Sequence, residues 1–164
     1  MKNSRLKFRI SGRIAYFILT PFLKVYLSKR ITTRILIINK NRQVLVVRNL
    51  LSNGNLGLPG GGLKKNESPS QALIREVEEE VNLKLLSTDI SYKGIFLAKN
   101  DFIKYQYHLW FGFIDQEQAG PIKIKSFEIL DLDWIEVNKL KDFKLSSELK
   151  YSLEVWQRET DLIK

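Results

Sequence analysis

The spacing of apolar positions changes several times along this chain, and each change marks an element. Residues 31 to 39 (ITTRILIIN) and 43 to 49 (QVLVVRN) are β-branched runs flanking Lys40-Asn41-Arg42, which predicts a strand, a tight turn and a second strand. From Ser68, Leu73, Val77 and Val81 recur every four residues, the period of a helix with one buried stripe. Ser68-Pro69-Ser70-Gln71 has the form of a capping box with proline in the first turn, so this helix is expected over about 68 to 81. Asn82 suits its stop, because Asn tolerates the left-handed conformation that ends helices. Further on, 92 to 98 (YKGIFLA), 103 to 114 (IKYQYHLWFGFI) and 127 to 136 (FEILDLDWIE) read as strands, the first two around a turn near Asn100-Asp101. Leu149, Leu153 and Trp156 place a closing helix from Ser146 to about Glu159.

Two segments break these periods. In LSNGNLGLPGGGLKKNESP, Gly54, Gly57, Pro59 and Gly60 to Gly62 exclude regular structure and predict a loop shaped for close backbone approach, the natural place for a ligand. At the N-terminus, Thr20-Pro21 divides an arm into two short helices, roughly 4 to 19 and 21 to 28. The chain therefore reads as a helical arm (1–30) followed by a single domain (31–164). A length of 164 residues with 44% apolar positions can build one sizeable core.

Charge sharpens this division. The formal net charge is +9, yet residues 1 to 34 hold nine Lys or Arg and no Asp or Glu. The rest of the chain has 18 of the 27 basic residues and all 18 acidic ones, so the basicity belongs to the arm. Its apolar stretch, Ile14 to Leu27, is interrupted by Pro21 and Lys24 and falls short of the roughly 20 residues that span a bilayer. No small-residue cleavage site follows it. The absence of Cys excludes disulfides, thiolate metal sites and a Cys nucleophile, which fits a cytoplasmic protein.

The expected helix carries Glu76, Glu78, Glu79 and Glu80. Glu76, Glu79 and Glu80 stand at i, i+3 and i+4 and share one face, where like charges repel by a few tenths of a kcal/mol per pair. A divalent cation removes that conflict, and oxygen-only ligands suit Mg²⁺ or Mn²⁺. An isolated acidic run is usually a solvated helix face. Here the run has fixed spacing from the glycine loop: Gly61, Glu67, Arg75-Glu76-Val77, Glu79-Glu80 and Leu83. Chance agreement at the six polar or glycine positions is on the order of one in a hundred thousand per chain, which favours a built site.

GGLKKNESPSQALIREVEEEVNL resembles the Nudix box, G-x5-E-x7-R-E-U-x-E-E-x-G-U, in which U is a bulky aliphatic residue. The preceding LPGG and the later strand ending at Trp134 are similar to that family too. Asn82 replaces the late box glycine, at a position that needs a left-handed cap rather than a reacting group. The resemblance implies an α/β fold, a Nudix-like α/β/α sandwich with a mixed sheet, here with an N-terminal helical extension. It implies a hydrolase in which water attacks phosphorus of a diphosphate linkage in a nucleotide or nucleoside diphosphate derivative. Carried over by position, Glu76 and Glu80 are main metal ligands, with Glu79 joining directly or through water and the Gly60 carbonyl completing the site. Arg75 orients the carboxylates, and Glu67 is its partner or a second-metal ligand. Glu128 is the candidate for a general base outside the box, against the reading of an outward-facing strand carboxylate.

Other residues carry less. His108, the single histidine, reads as packed or surface, and Tyr105, Tyr107 and Trp110 read as core. The loop lacks the G-K-[ST] ending of a P-loop. RNA 5′-end pyrophosphohydrolases usually carry PQGG where this chain has Pro59-Gly60-Gly61-Gly62, which leaves nucleoside di- and triphosphates and nucleotide sugars as the favoured substrates, with an RNA 5′-end pyrophosphohydrolase as an alternative. A nucleotide sensor without turnover is the rival from another class. For the arm, the readings are packing on the domain or on a homodimer mate, peripheral contact with an anionic membrane, and attraction to nucleic acid.

Overall fold

The computed structural model describes residues 31–50, 52–99, 104–114 and 120–162. The two expected arm helices and the turn near Asn100-Asp101 lie outside the described residues. Within them run β1 (Thr32–Ile38), β2 (Gln43–Asn49), α1 (Pro69–Val81), β3 (Ile90–Lys99), β4 (Lys104–Phe113), β5 (Ile129–Glu136) and α2 (Ser147–Asp161). Short 3₁₀ turns at Ser87–Asp89 and Val137–Asp142 lead into β3 and out of β5.

The five strands form one mixed sheet in the order β3-β4-β1-β2-β5. β1 pairs in parallel with β4, from Thr32 opposite Tyr107 to Ile38 opposite Phe113, and the other pairs are antiparallel. Ile35, Ile37, Leu45 and Val47 pack under Leu73, Val77 and Val81 of α1. From the opposite face, Leu36, Ile38, Val44 and Val46 meet Leu149 and Leu153 of α2. Both faces of β1 and β2 are therefore covered, which is why their sequences are continuous apolar runs rather than alternating ones. The result is the expected α/β/α sandwich.

β1 and β2 stay partners only briefly. Asn39 closes their turn by accepting the backbone N–H groups of Asn41 and Gln43, each at 3.0 Å. Ile38 pairs with Val44, and then the strands diverge. The glycine loop threads the gap. Gly57 exchanges two backbone hydrogen bonds with Val47, Ile35 N–H donates to Pro59 O at 3.2 Å, and Thr33 N–H donates to Gly61 O at 2.8 Å. A buried strand needs partners for its backbone, so the loop is locked into the sheet rather than laid over it.

α1 begins as its capping box dictates: Ser68 Oγ accepts from Gln71 N–H, and Gln71 Oε1 accepts from Ser68 N–H. Such a cap contributes about 1 kcal/mol. Asn82 ends the helix at φ 60°, in the left-handed region. Its side chain does more than the cap requires, because Nδ2 donates to Pro121 O at 3.1 Å. The following segment is held against the same helix end: Lys123 N–H donates to Val81 O and Lys125 N–H to Glu80 O. α2 is stitched to the glycine loop in turn, through Leu56 N–H to Lys144 O and Ser146 N–H to Leu56 O, both 2.8 Å.

Candidate functional site

The loop and α1 meet where both glycine positions are forced. Gly60 has φ +123°, and a Cβ there would lie 2.3 Å from the Thr33 carbonyl oxygen. Gly61 has ordinary backbone, but a Cβ there would lie 2.3 Å from a carboxylate oxygen of Glu76. Only bare backbone lets the loop pass between strand β1 and the acidic helix face at this distance. The carbonyls on either side of Gly60 are taken by β1, and Gly60 N–H donates to Glu80 Oε2 at 2.9 Å.

Arg75 organises the exposed side of the same face. Its guanidinium binds Glu67 as a two-toothed fork, Nε to Oε1 at 2.7 Å and Nη2 to Oε2 at 2.8 Å. Nη1 reaches Glu76 at 2.7 Å and Glu79 at 3.1 Å, and Nη2 also donates to Gly62 O at 3.1 Å. One planar group thus links three carboxylates and the loop backbone, a geometry that lysine cannot reproduce. The hydrogen bonds from Arg75, with that from the Lys64 N–H, hold the Glu67 carboxyl down to about 2. The Glu67 hydrogen bond, reinforced by Glu76, drives the Arg75 value upward.

Glu80 lies at the inner end of the face and is only 6% exposed. Burial pushes its carboxyl up to about 7, and the like charges of Glu76 and Glu128 add to the rise. Arg34 and the Gly60 N–H act in the opposite direction. Two carboxylates therefore bear on the buried one beside the loop.

The sequence expectations meet the structure unevenly. Glu67, Arg75, Glu76, Glu79 and the Gly62 carbonyl form one hydrogen-bonded cluster, and Glu80 with Gly60 forms the adjoining one. Glu128 is exposed just before β5, near enough for its charge to raise the Glu80 carboxyl. Among the described residues, no three Asp, Glu or His side chains already converge as a coordination sphere. Arg75 holds Glu76 and Glu79 instead. The donor set still suits a hard cation: it is all oxygen, and a cation would relieve the repulsion that burdens Glu80.

His108 is buried, with Nδ1 3.0 Å from the Tyr92 hydroxyl, and burial lowers its value. Tyr107 is core, as expected, and burial pushes its phenol up to about 12. Tyr105 is half-buried and donates to Glu148, a buried carboxylate in the first turn of α2. Two residues escaped the sequence reading. Arg34 was marked only by being the single cation in the run ITTRILIIN, and Glu148 carried no signal at all.

Against known proteins, the model of the NUDIX domain matches residues 28–155. The chain belongs to the Nudix family. It is 25% identical over 153 residues to an RNA pyrophosphohydrolase of Pelagibacter ubique (strain HTCC1062), covering 85% of this chain and 97% of that one. Its fold is similar to the NUDIX domain of Shewanella oneidensis NrtR complexed with ADP ribose, with a TM-score of 0.65 at 16% identity over 82% of this chain and 91% of that domain. It is also similar to a bifunctional NMN adenylyltransferase/ADP ribose pyrophosphatase of Francisella tularensis complexed with AMP and a Mn ion. There the TM-score is 0.66 at 21% identity, covering 87% of this chain and 46% of that longer protein.

Proposed function

We propose that this chain is a divalent-metal-dependent pyrophosphohydrolase that cleaves a diphosphate linkage in a nucleotide or nucleoside diphosphate derivative. The observation that carries this reading is the buried Glu80 carboxylate, seated on the Gly60 N–H and raised by burial and by two like-charged neighbours. A helix tolerates such a group where a cation completes it. The family and the nucleotide ligands named for the two structural relatives are consistent with it.

Glu76 and Glu80 would hold Mg²⁺ or Mn²⁺, with Glu79 beside them and the Gly60 carbonyl as the backbone ligand. When bound, the cation neutralises phosphate charge and lowers the pKa of a bound water. The chain's own residues do the positioning. Arg75 fixes the carboxylates against the loop and Glu67 fixes Arg75, so the ligands are spared much of the ordering cost. Glu128 is near enough for its charge to raise the Glu80 carboxyl and is the candidate acceptor for the proton of the attacking water. Arg75 pairs with Glu76 and Glu79, so these carboxylates would be shared between the guanidinium and a bound cation.

The Pelagibacter relative favours a second substrate, the 5′-triphosphate end of RNA. A phosphate-release assay over nucleoside triphosphates, nucleotide sugars, ADP-ribose and a 5′-triphosphorylated oligonucleotide tests both. Turnover confined to the oligonucleotide selects the second substrate, and binding without turnover on every compound rejects hydrolysis in favour of a sensor.

A further inference from the structure

α1 covers the β1–β2 half of its side of the sheet; on the β3–β4 half Ile90 and Trp110 pack against the same core, but Tyr92, Ile95 and Leu97 of β3 stay exposed. The exposed side chains are ordered in rows. Leu97 pairs with Gln106, and Thr32 with Tyr107, so Ile31, just before Thr32, flanks Gln106 from the other side. In the next row Ile95 pairs with His108, and beyond it Tyr92 pairs with Trp110, their rings 4.8 Å apart. Phe96 packs toward the α2 side, so its neighbours Ile95 and Leu97 point outward on the α1 side. Leu97 is 64% exposed, Ile95 53%, Tyr92 49% and Ile31 41%. An edge strand normally carries charges at such positions, and exposed apolar side chains gathered there mark a contact surface.

What covers these rows is indicated by what is joined to them. Ile31 belongs to the patch and is the residue on which residues 1–30 end. Those residues carry eight Lys or Arg, no Asp or Glu, and the apolar stretch from Ile14 to Leu27. The remainder of the chain is nearly balanced in charge, so it offers no net anionic partner for the arm. An apolar surface continuous with a purely cationic segment matches a lipid surface of negative charge.

We propose that the face formed by Ile31, Tyr92, Ile95 and Leu97, together with the cations of residues 1–30, docks the enzyme on an anionic membrane surface. The face meets the glycine loop at one edge, where Ile31 O accepts from Leu63 N–H, while Ile95 and Leu97 on β3 lie two strands away from β1.

Co-sedimentation of the full chain with phosphatidylglycerol-containing vesicles, against phosphatidylcholine vesicles, tests this. Binding is expected to the anionic vesicles alone and to be lost in high salt. Ile95→Glu/Leu97→Glu should weaken it roughly tenfold or more, and Lys24→Gln/Lys29→Gln/Arg30→Gln on the order of a hundredfold. Ile95→Gln/Leu97→Gln should weaken it to an intermediate degree. All three variants should keep wild-type nucleotide hydrolysis and melting temperature, which separates this claim from the hydrolytic one. Equal binding to both vesicle types, no binding to either, or indifference to the face substitutions overturns the proposal. Salt-sensitive capture of a 5′-triphosphorylated oligonucleotide without vesicle binding would reassign the arm to nucleic acid. Dimers that Leu97→Glu dissociates would reassign the face to a second copy of this chain.

Discussion

Replacing the two neighbouring glycines by alanine should separate folding from chemistry. At Gly60 the new Cβ meets the Thr33 carbonyl oxygen at 2.3 Å, and the backbone there has φ +123°. Neither can relax without moving β1. Left-handed strain of roughly 1–2 kcal/mol and overpacking of roughly 1–3 kcal/mol together cost about 3 kcal/mol. For a domain of this size that lowers the melting temperature by roughly 6–12 °C. At Gly61 the backbone is ordinary, and the clash is with the carboxylate of Glu76, the far end of a flexible side chain. That carboxylate swings away, giving up its 2.7 Å contact with Arg75 at a cost of roughly 1 kcal/mol or less. Turnover should nevertheless fall at least about tenfold, because a proposed metal ligand is displaced. Thermal melts and phosphate release on both variants check the pair. The reasoning fails if Gly60→Ala melts like the parent, or if Gly61→Ala melts normally and also turns over normally.

Other consequences follow from the same contacts. Arg75→Lys keeps the charge but loses the fork to Glu67 and the links to Glu76 and Glu79; metal affinity, read by calorimetric titration, should drop roughly 10–100-fold while the protein stays folded. Asn82→Gly keeps the left-handed cap but loses the bond to Pro121, so denaturant melts should show a loss of about 0–1 kcal/mol rather than a gain. In metal-free protein, Glu80 binds its proton more tightly when folded, so its contribution is complete below pH 4.5 and is lost as pH rises through about 7, an effect of roughly 3 kcal/mol. Glu67, held down to about 2, works oppositely and loses its contribution as pH falls from 4.5 toward 2. Metal-free stability should therefore peak near pH 4.5, and Glu80→Gln should abolish the decline above it; a decline unchanged in Glu80→Gln would place the titrating group elsewhere.

The local code of this fold is written plainly. Ser68 and Gln71 form the box that their spacing announced, Asn82 caps as expected, and continuous apolar runs at β1 and β2 match burial on both faces. What local pattern cannot express is long-range partnership. Nothing in ITTRILIIN states that β1 pairs with β4 in parallel, or that Pro59 and Gly61 replace β2 at its other edge. The glycines announced a close approach without naming the Glu76 carboxylate and the Thr33 carbonyl as the groups approached. In the site, the i, i+3, i+4 spacing was enough to put Glu76, Glu79 and Glu80 near one another. That the first two rest on Arg75 while Glu80 is buried on the Gly60 N–H depends on depth in the fold, which period does not encode. Arg34 was missed because a single charge in an apolar run looks like an exposed position until the elements around it are placed, and Glu148 because, beside Ser147 and Lys150, it reads as part of a solvated helix turn.

Whether the acidic face of α1 works through a divalent cation is decided by hydrolysis of a nucleotide panel, measured with Mg²⁺ and with chelator for the parent chain and for Glu80→Gln. Turnover is expected with Mg²⁺ and none with chelator, with a loss of at least about a hundredfold in a Glu80→Gln protein that remains folded. Undiminished turnover in chelator, or in Glu80→Gln, would exclude the cation's role.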